Sequence, residues 1–260
     1  YLVGYNLIHI RAESQKQLSA KQRHEVKNFS RNMLVGTEIV TDTPEELTLQ
    51  VLLSYPELSI QSALRRMSII TVSMHRDAIT ALKEFDRLQA KEVATTDNEV
   101  DRFNLYIVRQ LKTAIQNPRI IKEIGLQNAR DCLGYRLVTK SVERTADHAA
   151  SIADNVLQLS KQLETDTIEK LQEMSSIAIS MFETAIEALF RQDYALAESI
   201  VEKTREVISL EREAVVSSQK MDVEDAPHVR LIIESIRRTA EYASDIAEIV
   251  LNLTVESILS

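Results

Sequence analysis

The sequence predicts a mainly α-helical protein. Two tandem antiparallel three-helix bundles, residues 55–164 and 165–260, follow a small β-α-β-β unit over residues 1–54. Three observations predict it. The stretch Ser141–Asp154 (SVERTADHAASIAD) returns ninety-four residues later as Ser235–Glu248 (SIRRTAEYASDIAE). Met67, Met74, Ala78, Leu82, Asp86 and Ala90 return at a different offset as Met174, Met181, Ala185, Leu189, Asp193 and Ala197. Two echoes in the same order mean that a helical unit of about a hundred residues has been duplicated. Third, the 260 residues include 4 glycines and 4 prolines, with no glycine after Gly134. Glycine supplies the left-handed geometry of tight turns, so the second half must consist of long helices with short connections.

Tyr1–Ile10 alternates and is rich in β-formers, which predicts a strand. Val26, Phe29 and Met33 share a helical face within Ser19–Leu34, and Gly36 is placed to end that helix. Glu38–Val40 and Leu47–Val51 alternate again around the turn-like Thr41-Asp42-Thr43-Pro44. A unit this small has little core of its own and should pair with something else. From Ser54 onward the spacing is helical. Ser54-Tyr55-Pro56-Glu57 has a capping-box pattern, and the first long helix turns Leu58, Leu64, Met67, Ile70, Met74, Ala78 and Leu82 inward. Thr96–Glu99 reads as a second capping box, opening a helix that packs Val100, Phe103, Ile107 and Leu111 and stops at Asn117-Pro118. Ile120–Gly125 bridges to a third long helix, from about Gln127 to Leu163.

The second half repeats the plan. Asp166–Glu169 opens a helix to about Gln192, and another runs roughly from Leu196 to Gln219. After a loop beginning at Met221, Pro227 stands at an acceptable helix-start position for a last helix to Thr254. Short loops make sequential helices antiparallel neighbours.

Net charge is −8 and the isoelectric point about 5.3. Without a Lys/Arg run, such a chain is not expected to bind nucleic acid directly. Cys132 is the sole cysteine, which fits a reducing compartment and forbids an internal disulfide. No apolar stretch approaches the roughly 18 residues that span a bilayer, so a cytoplasmic protein is expected. Gly-rich phosphate loops, nucleophile elbows, HExxH and CxxC are all missing from the sequence, as are the paired E-x-x-H segments of ferritin-like di-iron enzymes. The expectation is a non-enzyme.

Glu143, Asp147 and Asp154 lie at i, i+4 and i+11 and share one helix face. Ala146, Ala149, Ala150 and Ala153 beside them are small enough to let a facing helix come close. Confined carboxylates repel one another unless a cation neutralises them, and facing helices build metal–carboxylate sites in this way. Glu241, Asp245 and Glu248 form a comparable stripe beside Ala240, Ala243 and Ala247. The alternative is a solvated face whose acids pair with Lys140, Arg144, Arg237 and Arg238. Glu143, Asp147, Glu241 and Asp245 are the candidate metal ligands. The first pair is favoured, because Arg237 stands where the first repeat has Glu143.

The phrase Val142-Glu143-Arg144-Thr145-Ala146-Asp147-His148-Ala149, with its E/D-x-x-x-D spacing, resembles the helix motif of the PhoU family of phosphate-uptake regulators. The resemblance covers about residues 57–254. It implies two three-helix bundles, a cytoplasmic and often dimeric protein, and iron, zinc or another divalent metal on the motif carboxylates. It also implies action on phosphate transporter components or a phosphate-signalling protein. Glu143 and Asp147 match the motif directly, whereas Arg237 and Glu241 depart from it. Tyr1–Tyr5 and Ala63–Ala78 resemble the archaeal branch, whose members often begin with an AbrB-type swapped-hairpin DNA-binding domain. No such hairpin is legible here. The alternative function is therefore the effector and dimerisation part of a transcription regulator whose reader domain precedes Tyr1.

Overall fold

The computed structural model describes residues 1–13, 17–53, 58–218 and 222–259. The capping-box pattern at Ser54–Glu57 and the loop residue Met221 lie outside them. The elements are β1 (Leu7–Arg11), α1 (Ala20–Met33), β2 (Thr37–Asp42), β3 (Glu46–Val51), α2 (Ile60–Glu84), α3 (Arg87–Gln116), the short α4 (Pro118–Glu123), α5 (Ala129–Gln158), α6 (Thr165–Arg191), α7 (Tyr194–Ser218) and α8 (Ala226–Leu259). The fold is a helical bundle with one small sheet. Two compact units form, Tyr1–Leu64 with Asp101–Arg136, and Arg65–Val100 with Leu137–Ser260.

In the first unit the strands pair antiparallel in the order β1-β3-β2. Ile8 lies opposite Leu49 and Ile10 opposite Leu47, so the period-2 alternation puts all four on one face. That face packs with Leu34, Val26 and Met33 around α1 and with Leu105 of α3. The sheet thus finds its partner in a long helix, as its thin core required. Ser19 caps α1: its hydroxyl accepts from Gln22 N at 3.2 Å, and the Gln22 side chain accepts from Ser19 N at 3.0 Å.

The predicted first strand begins only at Leu7. Gly4 sits at φ +97°, a left-handed conformation that ends extended geometry. Tyr1–Asn6 instead wraps the buried guanidinium of Arg109, which donates to the carbonyls of Tyr1 (2.6 Å), Tyr5 (3.0 Å) and Gly4 (3.3 Å) and to Asn6 Oδ1 (2.6 Å). It also lies over the Tyr1 ring.

In the second unit α6, α7 and α8 pack against one another. The repeat is visible down to its turns. Phe85 and Gln192, at equivalent positions, both adopt left-handed backbone, with φ 53° and 54°. The next residues cap the following helices. Asp86 accepts from Leu88 N at 2.8 Å and Gln89 N at 3.0 Å, and Asp193 accepts from Leu196 N at 3.0 Å. This corrects the expected start at Thr96–Glu99, which lies inside α3. Thr96 is not a cap; its hydroxyl bonds back to Glu92 O at 2.8 Å, a bond available to threonine in mid-helix.

Candidate functional site

The two motif stretches lie on α5 and α8, which are tied to each other within the second unit. Hydrogen bonds join His148 to Ser235 (3.2 Å), Asn155 to His228 (2.9 Å) and Ser160 to Asp225 (2.8 Å). The numbers rise on one helix as they fall on the other, so the helices are antiparallel. The rings of His148 and Tyr242, equivalent residues of the two repeats, lie 5.8 Å apart. Arg76 and Glu183, also equivalent, pair at 2.9 Å between α2 and α6. Equivalent residues of two copies meet only where an approximate two-fold axis passes between them. The duplication therefore has a physical axis inside this unit.

The stripes divide by chemistry. Ala146, Ala149, Ala153, Ala240, Ala243 and Ala247 are buried, allowing close helix approach. The carboxylates ride at the edges: Asp147, Asp154, Asp245 and Glu248 are exposed and Glu241 is half-buried. Burying a charge is costly unless it is paired, so small apolar groups take the inside and acids the rim. Glu143 is the exception at 9% exposure, and Lys140, one turn earlier, donates to it. Glu241 accepts from Arg237, and from Arg238 at 3.0 Å. Desolvation by the neighbouring side chains raises the Asp245 carboxyl above its ordinary value, with Glu248 and Glu241 adding repulsion and Arg144 opposing them.

Among the described residues, no three His, Cys, Asp or Glu side chains converge as metal ligands would. As arranged, Lys140 holds Glu143, and Arg237 and Arg238 hold Glu241.

Beneath the motif lies a buried polar layer that the sequence did not reveal. His75 is fully buried, with its Nε2 2.8 Å from Ser175 Oγ and its Nδ1 buried without a hydrogen-bond partner. Desolvation lowers its pKa to about 4, helped by the positive charges of Arg76 and His148. Glu211 and Glu234 also escaped the sequence reading; both join the Arg237 network. Glu234 carried a legible signal, since it stands one turn before Arg237 as Lys140 stands before Glu143. Cys132 is a buried small side chain, its thiol pKa raised by burial and by Asp131.

The fold is a duplicated helical bundle whose polar groups are held in ion pairs and helix caps. The PhoU domain profile matches the chain at residues 64–156 and again at 171–250. The chain belongs to the PhoU family, a regulatory and non-enzymatic one. Proteins named "Phosphate-specific transport system accessory protein PhoU homolog", from two strains of Streptococcus pneumoniae, are 24% identical over 181 residues, covering 66% of this chain and 80% of theirs. The crystal structure of the phosphate transport system regulatory protein PhoU from Streptococcus pneumoniae superposes with a TM-score of 0.66 at 19% identity, covering 76% of this chain and 94% of that one. PhoU from Pseudomonas aeruginosa gives a TM-score of 0.63 at 21% identity, covering 76% and 96%. These likenesses establish the bundle fold. No helix among the described residues is long and apolar enough to cross a membrane.

Proposed function

We propose that this chain is a cytoplasmic regulator of phosphate uptake or phosphate-responsive signalling. It acts as a homodimer that docks helix faces on phosphate transporter components or on a phosphate-signalling protein. The observation that carries this is the pair of PhoU-domain matches, one in each half of the chain. The names of the curated relatives supply the phosphate transport system as the partner class. Metal is a separable part of the proposal: iron, zinc or another divalent ion at Glu143 and Asp147 requires Lys140 to swing away from Glu143.

The test is crosslinking and capture of the tagged chain from its own host under phosphate-replete and phosphate-starved conditions, with phosphate uptake measured in cells lacking the gene. Enrichment of transporter or signalling components, together with uptake that no longer responds to phosphate supply, is the expected result. Capture of DNA with unchanged uptake would favour the transcription-regulator reading instead. Metal analysis of protein purified without chelator, before and after Glu143→Gln, decides the metal part.

A further inference from the structure

We infer that Arg237 is a built-in counter-ion: its guanidinium holds the place among Glu211, Glu234 and Glu241 that a divalent cation would need, and clamps α7 to α8 without metal. Arg237 Nε lies 3.3 Å from Glu211 Oε1 on α7. On α8, Nη2 meets both oxygens of Glu234 at 2.6 and 2.8 Å, Nε meets Glu234 Oε2 at 3.0 Å, and Nη1 donates to Glu241 Oε1. Arg238 takes Glu234 Oε1 at 2.9 Å and Glu241 Oε2 at 3.0 Å. Both oxygens of Glu234 and both of Glu241 are therefore occupied by guanidinium donors. A metal needs those same lone pairs at shorter range. Three carboxylates face two guanidiniums, so most of the charge that would draw a cation is already neutralised. Arginine stays protonated throughout the accessible pH range, so raising the pH does not free these carboxylates.

Lys140 and Glu143 in the first half occupy the positions of Glu234 and Arg237 in the second. Each half has an ion pair at i, i+3 with the signs exchanged. In the second half the cation sits where the first half has its motif carboxylate, and it gathers Glu211 from the neighbouring helix. The inference is independent of the regulatory role proposed above.

The test uses the full chain, stripped with chelator and dialysed against Mn²⁺, in a Glu143→Gln/Asp147→Asn background so that only the second half is read. Arg237→Gln should take up about one more Mn²⁺ per chain than its parent and should melt at a higher temperature with Mn²⁺ than without. Arg237→Lys, which keeps the charge, should match the parent in both readouts. The inference is overturned if Arg237→Gln binds no more Mn²⁺ than the parent. It is equally overturned if the Arg237-containing parent binds Mn²⁺ and loses it on Glu241→Gln. That second comparison stands even where Arg237→Gln does not fold.

Discussion

His75 gives the most direct handle on the buried layer. In an unfolded chain its imidazole titrates near 6.5; in the fold burial lowers the pKa to about 4. Between those values the unfolded state binds more protons than the native state, so stability rises with pH across this window. Read in the other direction, the contribution is complete above about pH 6.5 and is lost progressively as the pH falls toward 4. With about 1.4 kcal/mol for each factor of ten in proton affinity, the gap amounts to roughly 3 kcal/mol. The perturbation is His75→Phe, because Phe182 occupies the equivalent buried position in the second half. Phenylalanine gives up the Ser175 bond but cannot titrate, so its cost does not depend on pH. Denaturant unfolding of both proteins between pH 7.5 and about pH 4 yields a difference curve in which the carboxylates common to both cancel. That curve should fall by roughly 3 kcal/mol over the window, with the parent losing the more. Parallel curves would show that the parent's imidazole is not held neutral by burial, and the account of the layer would fail.

Arg109 is expected to hold the first six residues. Arg109→Ala removes a charged donor from four acceptors at once. Single bonds of this kind contribute about 1.5–3 kcal/mol, and freed carbonyls can rehydrate, so a loss of about 3 kcal/mol is expected. Hydrogen exchange should then rise in β1 and β3 while α6 stays protected; uniform protection would contradict the assignment. At Gly36 the backbone is left-handed, φ +65°, and an added Cβ would run into the Leu53 side chain. Gly36→Ala should cost about 2–4 kcal/mol from the conformational penalty and the displaced leucine. The readout is exchange of the β2 and β3 amides, and an unchanged rate would refute it.

The bundle was legible because its signals are local and repeated. Buried Met67, Met74, Ala78 and Leu82 recur as buried Met174, Met181, Ala185 and Leu189, and a 3.6-residue period survives whatever the helix packs against. Boundaries were legible only where the cap was read correctly. Asp86 and Asp193 recur in the sequence, yet Thr96–Glu99 imitates a capping box more closely. The pattern cannot say that a helix has already begun at Arg87. At the N-terminus, alternation over Tyr1–Ile10 concealed a left-handed Gly4 and a distant arginine. The motif carboxylates were legible as a stripe, but their partners only in part. Lys140 and Arg237 are near in sequence, whereas Glu211 reaches Arg237 from another helix. Ser175, which meets His75, lies one hundred residues away. Contacts of that kind leave no periodicity to find.

The exchanged ion pairs follow from the duplication itself. At a two-fold axis between separate identical chains a residue near the axis faces its own copy, so a charge there repels itself and is disfavoured. Joining the copies covalently removes that constraint, since each position can then change alone. Arg76 facing Glu183 is such a pair, opposite in sign at equivalent positions. Lys140–Glu143 and Glu234–Arg237 show the same freedom within a helix, where the pair interacts whichever partner comes first. The exposed Arg76–Glu183 pair adds little stability by itself. The Arg237 cluster is different, because the arginine side chain is only 21% exposed and its guanidinium joins two helices. Divergence between the halves has thus produced two unlike polar centres on one scaffold: a carboxylate held by a flexible lysine in the first, and carboxylates closed around a fixed guanidinium in the second. A ligand or partner that recruits carboxylates should engage the first half and bypass the second.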